Sequence, residues 1–369
     1  MNSRVTTVCI TGGHLAPAKA VIDEIRDQHP LWRMVFVGRL HEFEGSTVPS
    51  KEKELVSSMN IPFVGITAGR LQRAISVHTL TSLAKFPVGL VQSLLFCMKE
   101  KPDIIVSFGG YVALPVVLAA WLLRIPVLTH EQTRVSGLAN RIIGILAKRI
   151  CITYPDTDHS FPLEKTVVTG LPIRKELFDD HFIPEWKVNL KKYPLIYITG
   201  GTTGSVSLNA LLFPIIERLV QHYTIVHQTG TLSAIRAKQV YYLLPEAEKS
   251  RYISRDYVNE RHVGWLFRHA SLVVGRSGAN TVAELVLFKR NALLIPLPWS
   301  GGGEQLKNAE WLEKAGLASV MDQKRTASQD VLDTILRILA KKQVTPATVH
   351  MDSDGARRIV NEIQTLLQT

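Results

Sequence analysis

Four short stretches of this 369-residue chain set reactive or hydrogen-bonding side chains beside glycine turns or at strand ends. In TGGH, residues 11–14, two adjacent glycines permit close backbone approach to a ligand, and the helix that follows favours an anion or a polarised hydroxyl at its N-terminus. The string is neither a Walker loop nor a dinucleotide fingerprint, whose glycine spacings differ. His14 has two readings: an imidazole accepting a proton near neutral pH, or a capping or packing histidine. In HEQT, residues 130–133, Glu131 is a second candidate base, against a polar loop that caps the next helix. TGGTTGSVSLN, residues 199–209, offers backbone N–H groups and hydroxyls to a phosphate, or is a plain strand-to-helix turn. GRSGANTVAEL, residues 275–285, puts Glu284 about one turn into a helix. There it accepts both hydroxyls of a ribose while the helix end takes the phosphate, unless it is simply a surface glutamate. Gln305 and Asn308, three apart, place two amides on one helical face suited to sugar hydroxyls, or to solvent. Asp156–Asp158 and Asp352–Asp354 have a metal-pair spacing, but they sit in loop-like segments without a glycine-rich partner, so no metal site is expected.

These stretches need strands ending where they begin. Short apolar runs (VTTVCI, WRMVFVG, PDIIVSFGG, IPVLTHE) alternate with helix-period segments, which predicts a parallel sheet covered by helices on both faces. The pattern restarts at PLIYITGG after a charged, proline-bearing stretch. The expected class is therefore α/β, with two doubly wound domains, residues 1–171 and 172–350, whose glycine turns open toward an interdomain cleft. Length is consistent with two domains.

The net charge is +11, and between Arg70 and Ile150 ten Lys or Arg face three acids, so an anionic partner is expected there. No nucleic-acid signature accompanies these residues, and a lipid surface or phosphorylated substrate fits better. Cys9, Cys97 and Cys151 are far apart in apolar surroundings and read as reduced core residues of a cytosolic protein. The N-terminus lacks a signal-peptide pattern, and Tyr111–Leu123, interrupted by Pro115, is too short to span a bilayer. Residues 79–96 carry Leu80, Leu83, Phe86, Leu90, Leu94 and Leu95 at helical intervals, with Arg70, Arg73 and Lys85 nearby. They read as a helix lying on an anionic bilayer or packed on the sheet, with Pro87 expected to interrupt it.

Taken together, these strings resemble the MurG family of glycosyltransferases. TGGHLAPA is similar to that family's TGGHVFPA, and GGYVALP through HEQT to its GGYVSGP to HEQN block. TGLPIRKEL is similar to the GNPVR linker, TGGTTGSVSLN to GGSQGARxLN, VHQTG to HQSG, and GRSGANTVAEL to CRSGAxTVSE. EQLKNAEWLEKAGLA matches the family's glutamine-rich helix. The blocks run collinearly over most of the chain. The resemblance implies a GT-B fold of two facing Rossmann-like domains, with a C-terminal helix, about 355–369, returning to the first.

It also implies inverting transfer of N-acetylglucosamine from UDP-GlcNAc to an undecaprenyl-pyrophosphoryl-muramyl peptide at the inner face of the cytoplasmic membrane. No metal or other cofactor is implied. Carried over by motif, Arg174 and Thr202 fall near the donor phosphates, Val258 at the uracil, and Ala279, Asn280, Thr281, Val282, Ala283 and Glu284 at the nucleotide. Gln305 falls at the sugar, with Thr11, Gly12, Gly13 and Thr133 on the acceptor side. His14 is the favoured base and Glu131 the second.

The chain departs from the pattern at Cys9 and Ile10, where the family has glycines, at Thr133, where it has Asn, and at Glu304, where it has Gln. The alternatives are a related transferase with another lipid or sugar acceptor, a UDP-sugar 2-epimerase, whose GTRPE string is not found here, and a non-enzymatic nucleotide-sugar binder.

Overall fold

A computed structural model describes residues 5–41, 49–68, 77–157, 160–186, 188–341 and 351–368. The chain divides into two units, Met1–Arg174 with Asp352–Thr369, and Lys175–Met351.

The first unit is a seven-stranded parallel sheet in the order β3-β2-β1-β4-β5-β6-β7. Its strands are β1 (Thr7–Thr11), β2 (Arg33–Gly38), β3 (Phe63–Gly65), β4 (Ile104–Ser107), β5 (Val127–Glu131), β6 (Arg149–Ile152) and β7 (Thr166–Val168). The strands are continuous apolar runs because both faces are covered. Val8 and Ile10 point toward α1 (Leu15–Gln28) and α14 (Gly355–Gln368), in one core with Val21, Ile22, Ile25, Ile359, Val360 and Ile363. Cys9 and Val35 point to the opposite face, covered by α3 (Val77–Glu100), α4 (Gly110–Leu122) and α5 (Leu138–Leu146). Cys9 and Ile10, the departures from the glycine-rich pattern, are thus fully buried strand residues on opposite faces of the sheet. A short helix, α2 (Lys51–Ser58), precedes β3 and is capped by the Ser50 hydroxyl, which accepts from Lys53 N. An ion pair between Arg149 and Glu362, 2.9 Å, ties α14 to the sheet.

The second unit is a six-stranded parallel sheet in the order β10-β9-β8-β11-β12-β13. It comprises β8 (Leu195–Thr199), β9 (Thr224–Gln228), β10 (Tyr252–Arg255), β11 (Ala270–Gly275), β12 (Ala292–Leu294) and β13 (Ala318–Val320). Its helices are α6 (Val206–Leu212), α7 (Ile216–Val220), α8 (Ala234–Leu243), α9 (Glu246–Lys249), α10 (Glu260–His269), α11 (Ala279–Leu287), α12 (Glu304–Lys314) and α13 (Ser328–Ala340).

In each sheet the strand order reverses beside the first strand of the unit, between β1 and β4 and between β8 and β11. Ligands of open α/β sheets sit at such switch points, beyond the carboxyl ends of the strands. TGGH leaves β1 at the first switch, and TGGTTG and GRSGAN leave β8 and β11 at the second.

One local expectation is corrected. Pro87 does not interrupt α3, which runs unbroken from Val77 to Glu100. After TGGTTG, the missing N–H of Pro214 leaves a 3₁₀ turn, Phe213–Ile215, between α6 and α7.

Candidate functional site

At the first switch, the loop after β1 lies backbone to backbone against the loop after β4. Gly13 has φ +140, and a Cβ there would run into the carbonyl oxygen of Gly109. On Gly12, a Cβ would sit 2.8 Å from Glu52 Oε2. The glycines therefore admit protein neighbours. Their N–H groups are taken as well, Gly12 N by Val37 O at 2.7 Å and Gly13 N by Glu52 Oε1 at 3.3 Å. Buried Glu52 also accepts from Arg39 N at 3.2 Å and faces the Arg39 guanidinium at 4.0 Å. The loop's appetite for an anion is thus met by the chain's own carboxylate. Thr11 is fully buried in β1.

His14 occupies the N-cap position of α1, yet its side chain makes no capping hydrogen bond. The capping alternative is excluded. Its Nδ1 lies 2.6 Å from the side-chain amide of Gln132, the residue after β5. The ring is half-buried, and desolvation lowers its pKa to about 4, so it is neutral at physiological pH. Its neighbour His130 is fully buried, pushed down to about 3 by desolvation, with Nε2 3.3 Å from Gly170 O.

Glu131 and Thr133 do not form a capping loop, since Gly137 caps α5. The buried Glu131 carboxylate accepts from Thr133 N at 2.9 Å, from Thr133 Oγ1 at 2.8 Å and from Asn140 Nδ2 at 2.7 Å. Asn140 Oδ1 in turn accepts from Gly110 N at 3.1 Å. Carboxylate and hydroxyl are thus both taken up by partners inside the protein. Glu131 has its oxygens committed to three donors, which opposes a role as base, and the Thr133 hydroxyl is engaged inside the protein instead of facing a substrate.

At the second switch, Gln228 props the TGGTTG loop. Its Nε2 donates to Gly201 O at 3.2 Å and to Thr202 O at 3.3 Å, while its Oε1 accepts from Tyr197 Oη at 2.9 Å. Thr202 itself is exposed. Beneath it, His227 Nε2 donates to Asn209 Oδ1 at 3.0 Å, Asn209 Nδ2 donates to Thr229 O at 2.7 Å, and burial holds the His227 imidazole at about 3.

Arg276 is 3% exposed. Its guanidinium donates to Ser205 Oγ at 2.9 Å, Ser207 Oγ at 2.8 Å, Gln323 Oε1 at 2.5 Å and Ile295 O at 2.7 Å. Among the described residues it meets no carboxylate, and desolvation lowers its pKa to about 10, which leaves it charged. Ala279–Glu284 open α11 behind the Gly278 cap, with Ala279, Thr281, Val282, Ala283 and Glu284 buried. Glu284 is 6% exposed, which rules out a surface glutamate.

Gln305 uses its Oε1 to accept from Leu297 N at 2.9 Å. The reading of Asn308 as a sugar ligand needs correcting: it is 1% exposed, and its amide donates to Ser277 O at 3.1 Å. Val258 is buried ahead of α10, and Arg174 closes the first unit. Asp352 and Asp354 pair with Arg358 and Arg357 at the start of α14, and Asp156 pairs with Arg134. Asp158, Arg70, Arg73 and the side chains of Leu80 and Leu83 lie outside the described residues. Sequence reasoning missed Glu52, Asn140, Gln228 and Arg276, and placed Gln132 only as one member of the polar HEQT group. The FGGY turn after β4 was the available signal for Asn140, whose Oδ1 accepts from Gly110 N.

The architecture is the paired parallel α/β design of the GT-B glycosyltransferases. Residues 5–152 match the glycosyltransferase family 28 N-terminal domain and residues 195–363 the glycosyltransferase family 28 C-terminal domain. The chain belongs to glycosyltransferase family 28. It is 31% identical over 337 residues to the UDP-N-acetylglucosamine--N-acetylmuramyl-(pentapeptide) pyrophosphoryl-undecaprenol N-acetylglucosamine transferase of Legionella pneumophila (strain Paris), covering 90% of this chain and 87% of that protein. The solved structure of Acinetobacter baumannii MurG is similar with a TM-score of 0.68 at 27% identity, over 98% of this chain and 99% of that one. A putative UDP-N-acetylglucosamine 2-epimerase from Listeria monocytogenes gives 0.69 at 14% identity, over 99% and 97%, a likeness of fold alone.

Proposed function

We propose that this protein transfers N-acetylglucosamine from UDP-N-acetylglucosamine to a muramyl-peptide acceptor linked through pyrophosphate to undecaprenol, with inversion at the anomeric carbon. The observation that carries the reading is buried Glu284 on α11, at a switch point, beside a loop whose fixed cation has no carboxylate partner among the described residues. A buried carboxylate suits ribose hydroxyls, and a cation there suits the departing diphosphate. Arg174, Thr202, Val258, Ala279–Glu284 and Gln305 are the donor-side residues of this proposal. No resident metal is needed, because preorganised donors and Arg276 can carry the leaving-group charge.

In this mechanism neutral His14 takes the proton of the acceptor hydroxyl as its oxygen bonds to the anomeric carbon and the diphosphate leaves with its electron pair. The membrane reading also belongs here, on a face that keeps Leu95 of the expected residues. Phe86, Leu90 and Leu94 pack into the core, whereas Val88, Val91, Leu95 and Met98 on α3 are exposed. So are Trp121, Leu122 and Leu123 at the end of α4 and Leu138, Ile142 and Ile145 on α5. Lys99, Arg124, Arg141 and Lys148 lie on or beside the same elements, an apolar and basic combination that suits the inner leaflet of the cytoplasmic membrane. Among the described residues, no helix is long and apolar enough to cross a membrane.

The test is UDP release from UDP-N-acetylglucosamine with and without the lipid-linked muramyl acceptor. Acceptor-dependent release supports transfer. Formation of the 2-epimer without acceptor identifies an epimerase, and binding without turnover a non-enzymatic binder.

A further inference from the structure

We propose that Gln132 is the positioning residue that fixes the ring tautomer of His14, so that Nε2 is left as the proton acceptor; the inference rests on the transferase reading above. Gln132 follows directly on β5 and is buried, and its side-chain amide, placed with Nε2 toward the ring, lies 2.6 Å from His14 Nδ1. Contact at that distance requires one donor and one acceptor, and two arrangements supply them. With the amide nitrogen toward Nδ1, the neutral ring carries its proton on Nε2 and offers no lone pair outward. With the amide oxygen toward Nδ1, the ring carries Nδ1–H and Nε2 is free to accept. The two differ by a half-turn of a group whose oxygen and nitrogen have the same shape.

What decides between them is the product of the proton transfer. An imidazolium donates from both nitrogens. An amide nitrogen facing Nδ1–H at 2.6 Å would set donor against donor, whereas the amide oxygen serves both the neutral and the protonated ring. The turn exchanges one unpartnered buried amide atom for the other, because in the orientation described Gln132 Oε1 is buried with no hydrogen-bond partner among the described residues. No second bond holds the amide against the turn.

A neutral partner also sets the working range. The charged and titratable groups on the elements around the ring are engaged elsewhere. Lys19 pairs with Asp23 on α1, Glu52 binds Gly13 N and Arg39, and Glu131 binds Thr133 and Asn140. His130 is held neutral by burial. An amide orients the imidazole without adding the negative charge that would raise its pKa, so the ring stays unprotonated throughout the neutral range. In the proposed step the acceptor hydroxyl's proton passes to His14 Nε2 while Nδ1–H remains on the Gln132 oxygen.

The direct test is nitrogen NMR of the full chain labelled with ¹⁵N-histidine, the His14 signals being assigned by their loss in His14→Ala. At neutral pH, protonated Nδ1 and unprotonated Nε2 are expected; the opposite tautomer overturns the proposal. Kinetics give a second arm. Gln132→Leu is expected to lower kcat about 100-fold with the KM for UDP-N-acetylglucosamine little changed. In Gln132→Glu, whose carboxylate still orients the ring, activity should return at high pH with the acid limb of kcat/KM moved up by about one pH unit or more. Wild-type kcat in Gln132→Leu, or an unmoved acid limb in Gln132→Glu, rejects it. Should Gln132→Leu not fold, the NMR signal and Gln132→Glu still decide. Activity retained in His14→Ala would instead strike the base assignment itself.

Discussion

Asn140 joins two loops through one side chain: its Nδ2 donates to Glu131 Oε2 at 2.7 Å, and its Oδ1 accepts from Gly110 N at 3.1 Å. The Glu131 carboxylate is thereby part of the scaffold that seats the turn after β4, and that turn abuts Gly13. Glu131→Gln replaces one acceptor oxygen with a donor among three donors. It should cost about 1–3 kcal/mol, read as a lower urea midpoint. Unchanged stability with abolished turnover would restore Glu131 as a base.

Gly13→Ala meets both a left-handed backbone, φ +140, and the Gly109 carbonyl. The expected loss is above about 2 kcal/mol, with activity falling alongside stability. Gly137→Ala is the control. Its φ is −71 and nothing lies within 4 Å of the added carbon, so its urea midpoint should stay near that of the wild type.

Burial lowers the pKa of His14 to about 4, and of His130 and His227 to about 3. Each folded value lies below the unfolded value of about 6.5, so the unfolded chain binds more protons between them. Stability is therefore complete above pH about 6.5 and falls as the pH drops through the window down to about 4 for His14 and about 3 for His130 and His227, by up to about 1.4 kcal/mol per pH unit for each histidine. Urea unfolding from pH 7.5 to 5 measures the slope. His227→Gln, although less stable at every pH because the Asn209 and Tyr252 contacts change, should show a slope smaller by about one proton.

Arg276 binds two hydroxyls, an amide and a backbone carbonyl, and among the described residues no carboxylate. Its charge is then left to act on a bound diphosphate. Arg276→Met should raise the KM for UDP-N-acetylglucosamine about tenfold or more and weaken UDP binding by calorimetry. Arg276→Lys should rescue little, because one ammonium cannot span that set of acceptors. Wild-type UDP affinity in Arg276→Met would assign the residue to loop support alone.

The alternation of strands and helices was legible because apolar runs of four to six residues ending in glycine turns leave little else to build. The roles of Gln132, Asn140 and Arg276 were not, because their partners are remote in sequence: 118 residues separate Gln132 from His14, and 71 separate Arg276 from Ser205. The engagement of Glu131 was hidden for the same reason, since a carboxylate at a strand end looks free until Asn140 is seen to donate to it. The face of α3 was ambiguous because Phe86, Leu90, Leu94 and Val88, Val91, Leu95 both recur at helical intervals. Periodicity cannot say which stripe meets the sheet when both are apolar.

That ambiguity carries the last prediction. The exposed stripe on α3 continues in kind on the neighbouring layer, where α4 packs between α3 and α5 and ends in exposed Trp121 and Leu122, and α5 exposes Ile142 and Ile145. Insertion of such side chains into a headgroup boundary gains about 0.8 kcal/mol per buried CH₂, and each basic residue near an anionic surface adds about 1 kcal/mol. Two terms of different origin make the binding separable. Trp121→Ser with Ile145→Ser should reduce sedimentation with vesicles containing phosphatidylglycerol at any salt concentration, whereas Arg141→Gln with Lys148→Gln should reduce it at low salt only. Turnover of a short-chain, water-soluble acceptor should stay unchanged in Trp121→Ser with Ile145→Ser, since Trp121 lies at the end of α4 far from the turn after β4 and Ile145 in the last turn of α5. If Leu90→Ser, which opens the core, lowered vesicle binding while leaving the urea midpoint intact, the buried stripe would be the lipid face after all.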